Sequence, residues 1–325
     1  MSDILLQAEN LAIDIKSQNK NLTFADDIDF SVKKGEIYGI VGESGCGKSL
    51  LAHSIAGLLP ENVKISCGSI MFDGVNLLAL NKKEFRKMQG KDISMVFQEP
   101  LTSLNPLMKI GRQVSENLKI HTDLTKNEMQ KETLNILKKV GLNNPEELVN
   151  CYPHQLSGGM RQRIMIASAI ICKPKLVIAD EPTTALDVTI QSQILNLLQD
   201  INKTYGCAIV FISHDLGVIS RICDRVAVMY CGNIVEEGDT SSVFSNPQHQ
   251  YTKGLIDSIP TKNKKGQSLV NIPGKVPGIT EKKEGCYFAK RCTKAQKRCF
   301  KTKPEYTLIK HNHMVSCFLA GETGE

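Results

Sequence analysis

The chain lacks any uninterrupted apolar run near the ~18–20 residues that a membrane-crossing helix needs. Its longest candidate, RIMIASAIICKPKLVIAD, is interrupted by Lys173, Pro174 and Lys175, and reads as a helix, a turn and a strand. The first residues, MSDILLQAEN, carry acids where a secretion signal carries basic groups, so the expected compartment is the cytoplasm. No internal repeat stands out, and no heptad pattern is sustained as a long coiled coil requires. Aromatic residues are sparse in the basic tail: Tyr287, Phe288, Phe300, Tyr306 and Phe318 match no RNA-binding spacing, and no nucleic-acid partner is expected.

What is present is ordinary for a soluble globular protein, 41% apolar and 23% charged over 325 residues. That length supports one large core and one or two smaller units. The net charge of +6 is unevenly placed. From Thr261 onward fourteen Lys/Arg face five Asp/Glu, which leaves the preceding 260 residues at −3. The basic tail is either a solvated lysine-rich surface or a face turned to acidic lipid or an acidic partner. Of eleven cysteines, seven are scattered through the first 231 residues and four crowd into the last forty.

Strand patterns open the chain (ILLQAENLAIDI, NLTFADDIDFSV, IYGIV), and Pro60 stops a helix LLAHSIAGLLP. Strands follow at SIMFDG and DISMVFQ. From about 100 to 172 the text turns helical (VSENLKIH, NEMQKETLNILKKVGL, SGGMRQRIMIASAIIC), as an inserted helical subdomain would. Strands return at KLVIADE and CAIVFISHD around the helix TIQSQILNLLQDINKTYG, and a hairpin RVAVMYCGNIVEEGD ends the core. This alternation predicts an α/β fold with a mostly parallel sheet. Pro-, Gly- and Lys-rich text from Asn246 marks a linker and a small C-terminal unit. The expected domains are 1–258 and 259–325.

GESGCGKS at 42–49 matches G-x-x-x-x-G-K-[ST] between an apolar strand and an apolar helix. Across Gly42, Glu43, Ser44, Gly45, Cys46 and Gly47, glycines let backbone N–H groups turn inward around phosphates, and the helix N-terminus adds its positive end. Lys48 supplies a point charge for the β- and γ-phosphates and Ser49 a hydroxyl for Mg²⁺. KLVIADE brings Asp180 to the magnesium and Glu181, on the opposite strand face, to the attacking water as general base. Gln98 and His214 end two further strands, at the edge where ligands of parallel sheets bind. Cys46, beside Lys48 and a helix start, is expected to be a low-pKa thiol that maleimides modify and MgATP protects. A second phosphate-gripping stretch, LSGGMRQR, begins at Leu156.

Six motifs in order (GESGCGKS, VFQEP, LSGGM, LVIADE, ALD at 185–187, SHD) resemble the ATP-binding subunit of ABC transporters over about residues 4–260. The resemblance implies a P-loop NTPase core of RecA-like parallel strands with an antiparallel N-terminal β subdomain. It also explains the second loop. Two such domains meet head to tail, and Ser157, Gly158 and Gly159 would grip ATP held by the partner, with Asp187 at the dimer contact. Met160 stands where many relatives have Gln. The family places an aromatic near residue 15 to stack on adenine. Here Ile15 stands there, so either Phe24 or an aliphatic contact covers the base. EPLTSLNP, just after Gln98, is the expected contact with a permease loop.

Cys286, Cys292, Cys299 and Cys317 are spaced C-x5-C-x6-C-x17-C, wider than zinc ribbons prefer, and leave zinc and an iron–sulfur cluster both open. His311 and His313 are read as solvated tail histidines, with a ligand role as the alternative. With NPQHQYTKGL, IPGKVPG and LSGGMRQR, this tail resembles the C-terminal extension of the dipeptide/oligopeptide/nickel importer ATPases. That resemblance implies a [4Fe–4S] cluster on the four cysteines. It also implies a peripheral subunit at the cytoplasmic face of the membrane. Its partners would be a second, non-identical ABC ATPase, two transmembrane permeases and, through them, an extracytoplasmic substrate-binding protein. The expected function is ATP hydrolysis that energises peptide import. Nickel or chelated-metal import is the alternative, and a soluble ABC ATPase acting on nucleic acid or ribosomes is a further one.

Overall fold

A computed structural model describes residues 3–17, 20–184, 186–259, 272–278, 284–310 and 312–321 of the chain. Ala185 of the ALD motif, the linker residues 260–271 and His311 lie outside these. The strands are β1 (Ile4–Ser17), β2 (Lys20–Lys33), β3 (Ile37–Val41), β4 (Val63–Phe72), β5 (Val75–Asn76), β6 (Ile93–Val96), β7 (Leu176–Asp180), β8 (Ala208–Ser213), β9 (Arg225–Tyr230), β10 (Asn233–Asp239), β11 (Thr307–Lys310) and β12 (His313–Val315). The helices are α1 (Lys48–Ala56), α2 (Lys82–Met88), α3 (Pro100–Ser103), α4 (Ile110–Val114), α5 (Glu116–His121) and α6 (Lys126–Lys139). They continue as α7 (Pro145–Leu148), α8 (Gly158–Ile170), α9 (Val188–Tyr205), α10 (Leu216–Ile222), α11 (Thr240–Ser245) and α12 (Gln250–Asp257). Among the described residues no helix is long and apolar enough to cross a membrane.

Two compact units divide the chain. The first comprises Met1–Leu5, Lys33–Glu36 and Leu77–Ile212. Its centre is the parallel set β6–β7–β8, in register from Ile93 against Leu176 and from Asp180 against Ile212. LVIAD and AIVFIS are buried at every position, the near-continuous apolar text of a parallel strand covered on both faces. Ile194, Leu198 and Ile201 recur at helical spacing on α9 and are buried. Asp187 caps the start of α9, and Gly206, left-handed at φ 65°, ends it.

The helical block of this unit packs on α8, which meets α3, α4, α6 and β6. Thr125 and Glu128 form a reciprocal capping box on α6, worth roughly 1 kcal/mol. The helix expected over VSENLKIH is divided into α4 and α5. The break falls at Ser115, whose hydroxyl turns back to the carbonyl of Arg112 at 3.3 Å. A serine that bonds its own backbone this way competes with helix propagation.

The second unit comprises Leu6–Val32, Ile37–Asn76 and Ser213–Glu325. One sheet runs β2–β1–β4–β5, with β1 and β4 antiparallel from Leu6 against Phe72 to Ile15 against Val63. In the other, β3 lies parallel to β9, β9 and β10 form the expected hairpin, and β12 adds to β10 with β11 outside it. Part of the Cys-rich tail therefore shares a sheet with the hairpin.

Buried acids fasten that join. Glu236, fully buried, accepts N–H bonds from Gln248 and His249 at 2.7 and 2.9 Å and meets His313 Nε2 at 2.8 Å. Glu237 takes Tyr306 Oη at 3.0 Å, Tyr38 Oη at 2.9 Å and Arg225. A carboxylate out of water is tolerated only when its oxygens are satisfied in this way.

Candidate nucleotide site

The P-loop lies in the second unit, between β3 and α1. Gly47 precedes α1 with φ 109°, a conformation that disfavours any side chain. A Cβ there would also stand 2.5 Å from the Phe24 ring. At Gly42 a Cβ would meet the carbonyl oxygen of Met229 at 2.2 Å, so the loop lies tight against the end of β9. Lys48, buried, points its Nζ back into the loop, 2.8 Å from the carbonyl of Gly42 and 3.1 Å from that of Glu43. The N–H of Glu43 donates to Tyr251 Oη at 2.9 Å. Ser49 follows as the second residue of α1.

The Phe24 ring lies against this loop at Gly47. Ile15 is half-buried in β1 opposite Val63. The expectation for Cys46 is corrected. Its thiol is fully buried, and burial pushes its pKa up more strongly than Lys48, 3.9 Å away, pulls it down. An enclosed, protonated thiol does not react readily with maleimides.

The acidic motif lies in the first unit. Asp180, 4% exposed, ends β7. Glu181 follows at φ 45°, an uncommon conformation for a side chain of its size, at a cost on the order of 1–3 kcal/mol. The strain is held by fixed contacts. Its N–H donates to the Ile212 carbonyl at 3.0 Å. Its Oε2 accepts from Thr184 Oγ1 at 2.8 Å and from Gln98 Nε2 at 3.2 Å. The signal for Thr184 was the TT of EPTTALD, to which sequence reasoning gave no role. His214, exposed in the second unit, directly follows β8.

The signature stretch starts a helix. Ser157 caps α8 and its Oγ accepts the Met160 N–H at 3.4 Å, while Ser157 and Gly158 lie exposed. Among the described residues nothing stands within 4 Å of a Cβ placed on Gly158. The first N–H groups of a thirteen-residue helix thus face an open approach. Asp187 is occupied as the cap of α9, its Oδ1 accepting from the Ile190 N–H at 2.9 Å, and Val188 beside it is 79% exposed.

The four tail cysteines lie near one another. Cys286 is pushed up to about 11, first by burial and then by Cys317, Cys299 and Cys292. Cys292 and Cys317 are raised by burial and by neighbouring thiols as well. The Gln296 N–H donates to Cys299 Sγ at 3.4 Å, and backbone N–H groups of Phe288, of Lys294, and of Leu319 and Gln250 oppose the upward shifts of Cys286, Cys292 and Cys317 in turn. Such donors favour thiolate over thiol. Among the described residues, however, no group of three or more His, Cys, Asp or Glu stands close enough to hold a single metal ion. His313, once an alternative ligand, is taken by Glu236.

The ABC transporter family matches residues 25–184, and the oligopeptide/dipeptide transporter C-terminal region matches 235–299. The chain is 44% identical over 322 residues to the dipeptide transport ATP-binding protein DppD of Bacillus subtilis, covering 99% of this chain and 96% of that one. It is 43% identical to the oligopeptide transport ATP-binding protein OppD of Haemophilus influenzae, covering 98% of each. Among solved structures, the ATP-binding cassette MJ0796 as a dimer bound to ADP and Pi is 28% identical, with a TM-score of 0.66 over 73% of this chain and 99% of that one. The fold, the ordered motifs and these relatives define an ABC-type ATPase. The chain belongs to the ATP-binding subunits of the dipeptide/oligopeptide/nickel importer family of ABC transporters.

Proposed function

We propose that this ATP-hydrolysing subunit energises the import of di- or oligopeptides. The observation that carries the reading is the fixed Glu181 carboxylate, held by Gln98 and Thr184 on a strained backbone directly after the buried Asp180. Strain kept at one acid by specific contacts suits a general base whose position matters. The relatives' names, dipeptide and oligopeptide transport proteins, support the cargo class.

In this reading the backbone of Gly42–Gly47 and Lys48 hold the phosphates, and Phe24 meets the base. Mg²⁺ would rest on Ser49, Gln98 and Asp180 and neutralise phosphate charge. Glu181 takes the proton of the attacking water, Gln98 orients its carboxylate, and His214 contacts the γ-phosphate end. The open N-terminus of α8, with Ser157, Gly158 and Gly159, caps ATP bound by a second, non-identical ATPase. The Asp187 cap with exposed Val188 forms part of that contact. ATP then joins the two subunits and hydrolysis parts them, which turns chemistry into motion of two permeases. An extracytoplasmic binding protein delivers the peptide. Leu101, 64% exposed in EPLTSLNP, and Leu107, 86% exposed directly after it, suit the permease contact.

The four cysteines fit a [4Fe–4S] cluster better than a single zinc ion. A cluster spreads its ligands farther apart than one ion does, and backbone N–H groups favour the thiolate at these sulfurs, with that of Gln296 donating to Cys299 Sγ at 3.4 Å. Its part is structural, fixing a segment too small for its own core. Co-fractionation tests the location. The chain should sediment with membranes when the permeases are co-expressed and remain in the supernatant when they are absent. Sedimentation independent of the permeases contradicts it.

A further inference from the structure

Glu43 is an odd residue for a loop that binds polyphosphate, because its carboxylate repels what the loop attracts. Its three polar groups are nevertheless all engaged. The carbonyl takes Lys48 Nζ at 3.1 Å, the N–H goes to Tyr251 Oη at 2.9 Å, and the carboxylate is gripped by Arg291 of the C-terminal extension. The grip is bidentate, with Nη1 2.7 Å from Oε2 and Nη2 3.0 Å from Oε1.

Arg291 is itself prepared for this contact. It is 6% exposed, its Nε donates to the Pro273 carbonyl at 2.7 Å, and Nη2 also reaches the Gly274 carbonyl at 3.4 Å. The guanidinium lies 5.8 Å from the Tyr230 ring centre and 6.0 Å from that of Phe288. A planar fork fixed on all sides holds a carboxylate in one orientation, which a flexible lysine does not. On the loop side the Glu43 side chain keeps 30% of its surface.

We infer that Arg291 is a positioning residue for nucleotide binding: the extension clamps Glu43, neutralises its charge and turns its carboxylate away from the phosphates. The extension is thereby a working part of the P-loop as well as an appendage pinned to it. This rests on the nucleotide reading of the P-loop given above.

The test is the dissociation constant of MgATP for the purified full-length chain, read by displacement of a fluorescent ATP analogue. Arg291→Gln is expected to weaken binding about tenfold, the scale of one charge-assisted hydrogen bond. Adding Glu43→Gln to that variant removes the freed carboxylate and is expected to restore affinity to within about threefold of the unaltered chain. Arg291→Lys, which keeps the charge but not the fork, falls between and carries the test if Arg291→Gln does not fold. In the assembled transporter the loss appears in KM for ATP and not in kcat. A double variant as weak as Arg291→Gln alone would mean that Arg291 only docks the tail, and overturns the clamp. Unchanged affinity in Arg291→Gln overturns it too. An unaltered chain that binds no MgATP contradicts the nucleotide reading itself.

Discussion

Gln98 Nε2 stands 3.2 Å from Glu181 Oε2, so a residue two positions past the end of one parallel strand, β6, holds the acid that follows its neighbour β7. Thr184 Oγ1 shares the same oxygen at 2.8 Å. The acid is therefore held in position by two side chains.

Removing the base while keeping the hydrogen bonds should separate binding from chemistry. Glu181→Gln is expected to lower ATP hydrolysis by ~10²–10⁴-fold, the range of a general base, with ATP binding retained. Steady-state phosphate release and nucleotide binding on the same preparation check both halves.

Thr184→Val deletes one of the two contacts without touching the phosphates. Losing a hydrogen bond to a charged group costs about 1.5–3 kcal/mol at most, so kcat should fall roughly tenfold with KM for ATP near its starting value. A rise in KM instead would assign Thr184 to nucleotide binding.

Cys46 should resist alkylation. Its buried thiol, with a raised pKa, is expected to remain unmodified by maleimide at neutral pH whether or not MgATP is present, and to react once the chain is unfolded. Peptide mapping of the labelled protein reads this directly.

His249 gives an acid-side dependence. Burial lowers its pKa from 6.5 to about 4, against the opposing pull of Glu236. The ring accepts the Tyr251 N–H at Nδ1 and stays neutral in the fold. A depressed folded value contributes stability above pH 6.5 that is lost as pH falls through about 4. The shift corresponds to about 3 kcal/mol. Denaturant midpoints measured between pH 7 and 4 should drop, and His249→Asn should flatten that part of the curve.

The cysteine set makes a prediction about composition. Anaerobically purified protein should contain iron and acid-labile sulfide, and Cys299→Ser should lose both. Zinc without sulfide would contradict the cluster.

Much of this was legible in the sequence because the chemistry is local. GESGCGKS and LVIADE each place their groups within one strand–turn–helix step, so spacing alone locates Lys48 and Asp180. The strands LVIAD and AIVFIS were equally plain, since a doubly covered strand must be apolar throughout. What escaped depends on contacts distant in the chain. Arg291 meets Glu43 across 248 positions, and β12 joins β10 by pairing that no local pattern announces. The error at Cys46 has the same origin. A neighbouring lysine and helix start were visible, but the burial that outweighs them comes from the three-dimensional fold. Ser115 shows the local limit, where one side-chain bond divides a helix that periodicity runs together.

The most direct test of the account is uptake of labelled di- and oligopeptides, with nickel alongside, in matched strains carrying this gene, lacking it, or carrying Glu181→Gln. The account predicts that peptide uptake is lost in both altered strains and nickel uptake is unchanged. Peptide uptake that continues undiminished with Glu181→Gln would contradict it.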